Sequence, residues 1–155
     1  MQIRELEEKD FEGLCALILQ VYDEMPYATT FEKRPDRDML SELMRRKLEG
    51  MRNKTVVDFV AVEGNRVIAD CEIAKSTETG GVIGIIVAKD KRRRGLGRRL
   101  VEKCLEKAKL QKMLEVYAEI DERNEGAESF FAKCGFEEQE GEDKLVMVRA
   151  LDRLR

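Results

Sequence analysis

The sequence predicts an α/β (α+β) domain in which helices and strands alternate along one unit spanning residues 1–155. Three observations carry this prediction. The apolar spacing switches repeatedly between a helical and a strand period. No internal repeat, low-complexity tract or Pro/Gly/Ser-rich linker divides the chain. With 155 residues, 43% hydrophobic and 39% charged, the chain is long enough for one continuous core and too apolar for a disordered protein.

Residues 3–6 are expected to form a short strand. Phe11, Leu14, Cys15, Ile18, Val21 and Tyr22 then recur at helical spacing, with Asp10 placed to cap the first turn. After the aperiodic stretch EMPYATTFEKRP and Pro35-Asp36, a second helix presents Met39, Leu40, Leu43, Met44 and Leu48, with Gly50 as its expected stop. DFVAVE and VIADCEIA are β-rich runs separated by Gly64-Asn65-Arg66, a hairpin signal. A turn at Thr79-Gly80-Gly81 leads into VIGIIV, an almost wholly apolar strand expected to be covered on both faces. Leu96, Leu100, Val101, Cys104, Leu105 and Ala108 mark a third long helix, and MLEVYAEI alternates as a strand. Asn124 is placed to cap a helix presenting Ala127, Phe130 and Phe131, which Gly135 would end; runs near Phe136 and over residues 145–148 read as a closing hairpin.

Composition excludes whole classes of chemistry. There is no histidine, so Ser-His-Asp and Cys-His catalysis, histidine-ligated metals and a histidine base are all ruled out. Acid–base work must fall to carboxylates, tyrosine, lysine, thiol or backbone. Cys15, Cys71, Cys104 and Cys134 lie far apart with no CxxC pair, which predicts reduced, partly buried thiols and no metal site. No apolar run approaches the roughly 18 residues of a membrane span, and the N-terminal MQIRELEEKD has no signal-peptide stretch, so a cytoplasmic protein without membrane partners is expected. The abundance of Lys, Arg and Glu resembles thermophile composition, a matter of stability rather than function.

Against a net charge of −3, the stretch KRRRGLGRRL gathers six cationic side chains around two glycines. It falls between a buried strand and a helix, where the first helical N–H groups are unpaired and the helix dipole favours an anion. Gly95 and Gly97 would let a phosphate approach the backbone, whereas Arg98 and Arg99 in the first turn oppose the dipole unless something anionic binds. A Walker loop is absent, and a dinucleotide fingerprint fails because Gly95-Leu96-Gly97-Arg98-Arg99-Leu100 ends in leucine, although Glu115 lies 20 residues past Gly95. What remains is Arg92-x-x-Gly95-x-Gly97 after an apolar strand.

These residues resemble the GNAT superfamily of acyl-CoA N-acyltransferases. Its pyrophosphate loop, Gln/Arg-x-x-Gly-x-Gly/Ala after the fourth strand, is matched by IIVAKDKRRRGLG, and its second signature by NEGAESFFAKCGF. The resemblance implies a GNAT fold: a central mixed, mostly antiparallel sheet of about seven strands, flanked by about four helices and splayed between strands 4 and 5. It implies that backbone groups of Ile85 and Val87 pair with a pantetheine arm, and that an N–H near Ile86 polarises the thioester carbonyl. Amides of Arg92, Arg93, Arg94, Gly95, Leu96 and Gly97 would hold the pyrophosphate of acetyl-CoA, with Arg93, Arg94 and Arg98 free to meet the ribose phosphate. Asn124 would position the pantetheine end, and Phe130 and Phe131 would pack against it or the core.

The implied reaction is acetyl transfer to a primary amine by direct attack through a tetrahedral intermediate. Glu119 is the first candidate base, five residues before Asn124, a spacing similar to that of ribosomal-protein N-terminal alanine acetyltransferases. Glu72 is the second. Many members place a tyrosine acid where this chain has Phe131; Tyr117, on the same strand face as Glu119, is the candidate substitute. The acceptor, a peptide or small-molecule amine, would meet Tyr27, Phe31 and residues near Gly141, with Asp23, Glu24, Glu140 and Glu142 as acidic neighbours. Edge strands of this fold could support a homodimer. Two other readings stand beside this one: a catalytically silent acyl-CoA-binding or assembly protein, suggested by the lost acid, and a nucleic-acid module using KRRRGLGRR, opposed by the acidic net charge and the absence of any recognised nucleic-acid signature.

Overall fold

The computed structural model describes residues 1–139 and 145–151. Strands are β1 (Gln2–Glu5), β2 (Val56–Glu63), β3 (Arg66–Lys75), β4 (Gly80–Val87), β5 (Glu115–Ile120), β6 (Glu137–Gln139) and β7 (Leu145–Ala150). Helices are α1 (Phe11–Glu24), α2 (Arg37–Arg52), α3 (Leu96–Leu110) and α4 (Ala127–Lys133). The strands form one sheet in the order β1-β2-β3-β4-β5-β7-β6. Every neighbouring pair is antiparallel except β4 and β5, which run parallel and are connected through α3. The GNAT-type architecture expected from the sequence is therefore present.

Register sets which residues share a face. Val57, Ile73 and Ile83 are level across β2, β3 and β4, as are Phe59, Cys71 and Ile85. This face receives α3, whose Leu100, Val101, Cys104, Leu105 and Ala108 are buried, with the Cys104 thiol donating to the Cys71 carbonyl at 3.3 Å. Each large apolar side chain removed from water there contributes roughly 1.5–3 kcal/mol. On the opposite face lie Asp58 and Glu72, level with Gly84, and Val60 and Asp70, level with Ile86. There α2 meets the sheet through Lys47.

Several local devices match the sequence reading. Gly64, at φ 61°, opens a two-residue connection between β2 and β3. Asp36 caps α2 by accepting from the Met39 amide at 2.8 Å. At the end of α4, Phe136 N–H bonds to Phe131 and Gly135 N–H to Ala132, with Gly135 at φ 88°, which is the Schellman pattern. All four cysteines are free and buried, and burial pushes the Cys134 thiol up to about 11.

Other expectations need correction. Asp10 makes no cap to α1; its carboxylate is taken by both Arg4 nitrogens (2.7 and 2.8 Å) and the Glu7 amide (2.8 Å), a stronger charge-assisted set. Asn124 does not cap α4, because Gly126 holds the N-cap position. Gly80 and Gly81 belong to β4 rather than to the preceding turn. β4 is not covered on both faces: Gly84 is exposed and residues 85–87 are half-buried, because the strand beside them has moved away.

Gly50 lies inside α2 instead of ending it, and what requires glycine there is proximity to β2. A Cβ at this position would overlap Val56 Cγ2. Alanine would gain up to about 1 kcal/mol of helix propensity, but overpacking of a tight contact costs roughly 1–3 kcal/mol. Gly50→Ala is expected to lower the urea midpoint, and a midpoint at or above the parent's would show that α2 can shift freely on the sheet.

Candidate functional site

The site begins where two strands part. β4 and β5 are paired only at Gly80–Glu115, Gly81–Val116 and Val82–Tyr117. Beyond that point β4 stays on β3 as far as Val87, while β5 follows β7 to Ile120. A cleft opens in the middle of the sheet.

Strand parity identifies the backbone groups that face it. Ser76 N–H bonds to Gly80 O (2.9 Å) and Ala88 N–H to Ile68 O (2.8 Å), so the even-numbered residues of β4 turn their polar groups toward β3. Ile83, Ile85 and Val87 turn theirs toward β5. Ile86 directs its N–H to β3; the cleft-facing N–H groups that flank it belong to Ile85 and Val87.

At the end of β4 the chain passes through a short turn (Lys89–Lys91) into the basic loop. Arg93 (φ 63°) and Gly95 (φ 79°) are both left-handed, and Gly95 is the N-cap of α3 without a capping side chain. Arg99 N–H makes the first turn's bond, to Gly95 O, which leaves the amides of Leu96, Gly97 and Arg98 without helical acceptors. Arg93, Arg94 and Arg98 are exposed and Leu96 is buried in the core. A Cβ on Gly97 would meet Phe130 Cζ at 3.2 Å and Ile85 Cδ1 at 3.5 Å, so glycine keeps α3, α4 and β4 together. Arg92 behaves differently from its basic neighbours. Its Nε donates to Val87 O at 3.0 Å and its guanidinium pairs with Glu24 at the end of α1.

Tyr117 and Glu119 sit on the β5 side of the cleft, on the face that carries α2. Tyr117 is half-buried beside Gly80, and Glu119 is exposed, past the last parallel pair. Asn124 is half-buried in the turn before α4. Phe131 is buried, with Phe130 and Phe136 rings each 5.2 Å away, and its own ring has no proton to donate. Tyr27 lies under the Arg123 guanidinium at 5.3 Å, which brings the α1–α2 connection to the β5–α4 turn; Phe31 packs on the core. Asp23 and Glu24 are neutralised by Arg34 and Arg92, so neither offers the free negative charge expected of it. Glu140, Gly141 and Glu142 lie outside the described residues.

The sequence model of the acetyltransferase (GNAT) family matches residues 5–136. The chain belongs to this family. Solved GNAT structures share the fold across nearly the whole chain. A ribosomal-protein-alanine N-acetyltransferase from Brucella melitensis has a TM-score of 0.82 at 22% identity, covering 97% of this chain and 100% of its own. A phosphinothricin acetyltransferase from Sinorhizobium meliloti, in complex with AcCoA, gives 0.81 at 16%, covering 97% and 88%. A PaiA N-acetyltransferase from Thermoplasma acidophilum, in complex with coenzyme A, gives 0.75 at 16%, covering 96% and 98%. No curated protein matches the chain significantly.

Lys47, Asp58 and Asp70 of this GNAT domain were not singled out in the sequence, and they gather around Glu72, the second candidate base. Lys47 Nζ lies 2.6 Å from Asp58 Oδ2, 3.2 Å from Asp70 Oδ2 and 2.6 Å from Glu72 Oε2. Lys47, Asp58 and Asp70 are 5%, 1% and 6% exposed. Burial, with Asp70 close by, pushes the Asp58 carboxyl well above the usual carboxylate range, while the three carboxylates outweigh burial and hold Lys47 above the usual lysine range. The signal was available: Lys47 occupies the helix stripe of Leu40, Leu43 and Met44, and Asp58 and Asp70 interrupt apolar strands.

Removing the ammonium would leave buried carboxylates unpaired, so Lys47→Met is expected to cost about 3–5 kcal/mol. Asp58→Asn mimics the protonated acid and should cost no more than about 1 kcal/mol near pH 5. Because the folded-state value of Asp58 is raised, its contribution is full below the unfolded carboxylate range and is lost as pH rises through the folded value. Asparagine has no proton to lose. Urea titrations at pH 5 and 8 should therefore show the variant gaining on the parent at the higher pH; a constant difference would place the shared proton elsewhere.

Proposed function

We propose that the protein is an acetyl-CoA-dependent N-acetyltransferase acting on a primary amine by direct attack. The observation that carries this reading is the parting of β4 and β5 immediately before the bare N-terminus of α3, in a chain of the GNAT family. The residues present fit the co-substrate. An extended arm can pair with the cleft-facing groups of Ile85 and the N–H of Val87 as an added strand. A diphosphate matches the amides over residues 92–97 and the exposed Arg93, Arg94 and Arg98. Arg92 contributes through its backbone, since its side chain is held by Val87 and Glu24.

The co-substrate supplies an electrophilic thioester carbonyl. The N–H of Ile85 or Val87 is placed to stabilise charge on that carbonyl oxygen as the tetrahedral intermediate forms. Glu119, open to solvent beside the cleft, accepts a proton from the attacking nitrogen. Tyr117, on the same face, is the donor available to the departing thiolate in place of Phe131. Asn124, in the turn beyond β5, and Phe130, against Gly97, border the thioester end.

Phe131 favours a second reading, a protein that binds acyl-CoA without turnover. A free-thiol release assay across peptides, polyamines, aminoglycosides and amino acids, run beside acetyl-CoA calorimetry, separates the two: binding with no release for any acceptor supports the silent form. Glu119→Gln is expected to lower turnover about 10²–10⁴-fold with acetyl-CoA affinity unchanged. An unaltered rate and pH profile would remove Glu119 from the mechanism.

Gly97→Leu tests the cofactor cradle. Its side chain must displace Phe130 or cover the helix N-terminus, and calorimetry should show CoA affinity reduced at least about tenfold, or 1.4 kcal/mol. Parental affinity would place the diphosphate elsewhere.

A further inference from the structure

The Lys47 cluster and the cleft meet along one line across the sheet. Asp58 is level with Glu72, and Glu72 with Gly84. Val82 is level with Tyr117 in the parallel pair, so Gly84, two residues on, faces Glu119 across the opening. Adjacent strands lie about 4.8 Å apart, so Glu72 flanks Gly84 at roughly one strand spacing on the β3 side, and Glu119 lies on its other side across the splay. Gly84 is exposed, and nothing lies within 4 Å of where its Cβ would be. The gap it leaves opens the cleft toward the α2 face.

Glu72 is the one member of the cluster with access to that gap, its side chain being 28% exposed. Lys47 takes its Oε2, and Oε1 accepts no hydrogen bond from the described residues. We infer that Glu72 is a second catalytic carboxylate, taking the first proton from the protonated acceptor amine, and that Lys47, Asp58 and Asp70 are positioning residues that fix it at the rim of the cleft. The inference rests on the amine-acetylation reading above.

Proton balance gives each carboxylate a task. An alkylammonium with a pKa near 10 is free amine to only about one part in a thousand at pH 7. The nitrogen must lose two protons to become an amide. The first leaves the ammonium for Glu72 Oε1 and passes to solvent along the exposed edge of that side chain. The freed lone pair forms the C–N bond and the C–S bond breaks. The second nitrogen proton goes to Glu119, which returns it through Tyr117 or water to the departing thiolate. The sum is ammonium plus thioester giving amide, thiol and one released proton.

The charged groups facing Glu72 are Lys47 from α2, Asp58 from β2 and Asp70 from its own strand. β4 presents the uncharged Val82, Gly84 and Ile86 on this face, and β5 brings Glu119 and Tyr117 from across the cleft. With Lys47 held charged, the need for Glu72 should vary with pH through the acceptor's own ionisation.

The test compares the full-length parent, Glu72→Gln and Glu119→Gln on spermidine, lysine and an alanine-initiated peptide from pH 6 to 10. Glu72→Gln should lower kcat/KM about 10- to 100-fold at pH 7 and recover toward parental values by pH 10, where free amine is abundant. Glu119→Gln should stay impaired throughout, and acetyl-CoA affinity should be parental in both. Should Glu72→Gln fold poorly, Glu72→Asp, which retains the charge but withdraws it, should show a smaller loss with the same alkaline recovery. Parental activity at pH 7, or a loss of equal size at every pH, would overturn the role of Glu72 and leave amine acetylation standing. A parent that binds acetyl-CoA yet acetylates no amine of the panel would overturn the acetylation reading, and the assignment of Glu72 with it.

Discussion

Sheet hydrogen bonding that stops after three pairs is the constraint on which the rest of this structure depends. Backbone N–H and C=O groups in a protein interior almost always find partners, yet past Val82 the β5-facing groups of β4 have no strand opposite them. The opening is maintained from both sides. β4 remains fully paired with β3, β5 with β7, and the Phe130 ring and Ile85 close over Gly97 behind the cleft. One of the abandoned acceptors, Val87 O, is satisfied by Arg92. Those of Ile85 define an internal sheet edge, and an edge in the centre of a sheet is a place for an extended ligand.

The two faces of the sheet then take opposite electrostatic characters. On the α3 side the chain delivers unpaired amides and Arg93, Arg94 and Arg98, a local excess of positive charge in an acidic protein. On the α2 side it delivers Glu72 and Glu119 flanking a glycine. Under the proposed reaction, an anionic carrier and a cationic acceptor approaching the same cleft would thereby be drawn to different faces, so that only the reacting groups need meet between the strands. Arg92 joins the two sides: it holds the last β4 carbonyl while pairing with Glu24, whose helix leads into the connection containing Tyr27.

The order of elements was legible because each carries a periodic apolar signal, and the basic glycine loop because its chemistry is local. The β2–β3 hairpin, the Asp36 cap and the Gly135 terminus followed from short-range turn and cap residues. The failures share a cause in long-range packing. Nothing near Gly50 in sequence signals that Val56 presses against it, and Asp10 has cap chemistry but meets a bidentate arginine from β1. Arg92 resembles its neighbours in a run of cations, yet the α1 terminus turns it inward. The separation of β4 from β5 is likewise invisible in VIGIIV, whose uninterrupted apolar character reads as full coverage on both faces. Only the resemblance to a family supplied the splay.

The buried lysine with three carboxylates is costly as a device for stability alone. Well-packed apolar residues of similar volume would commonly serve a core as well or better, because desolvation of the charges offsets much of their attraction. Lys47 nonetheless ties α2 to β2 and β3 at one point, and raising the Asp58 carboxyl toward its neutral form reduces the charge that must be buried. The remaining imbalance has an outlet through Glu72, the member of the group that reaches solvent beside the cleft. A purely structural ion pair would need neither a third carboxylate nor an open glycine beside it. The arrangement makes physical sense when the exposed end of the network meets positive charge that arrives from outside the fold.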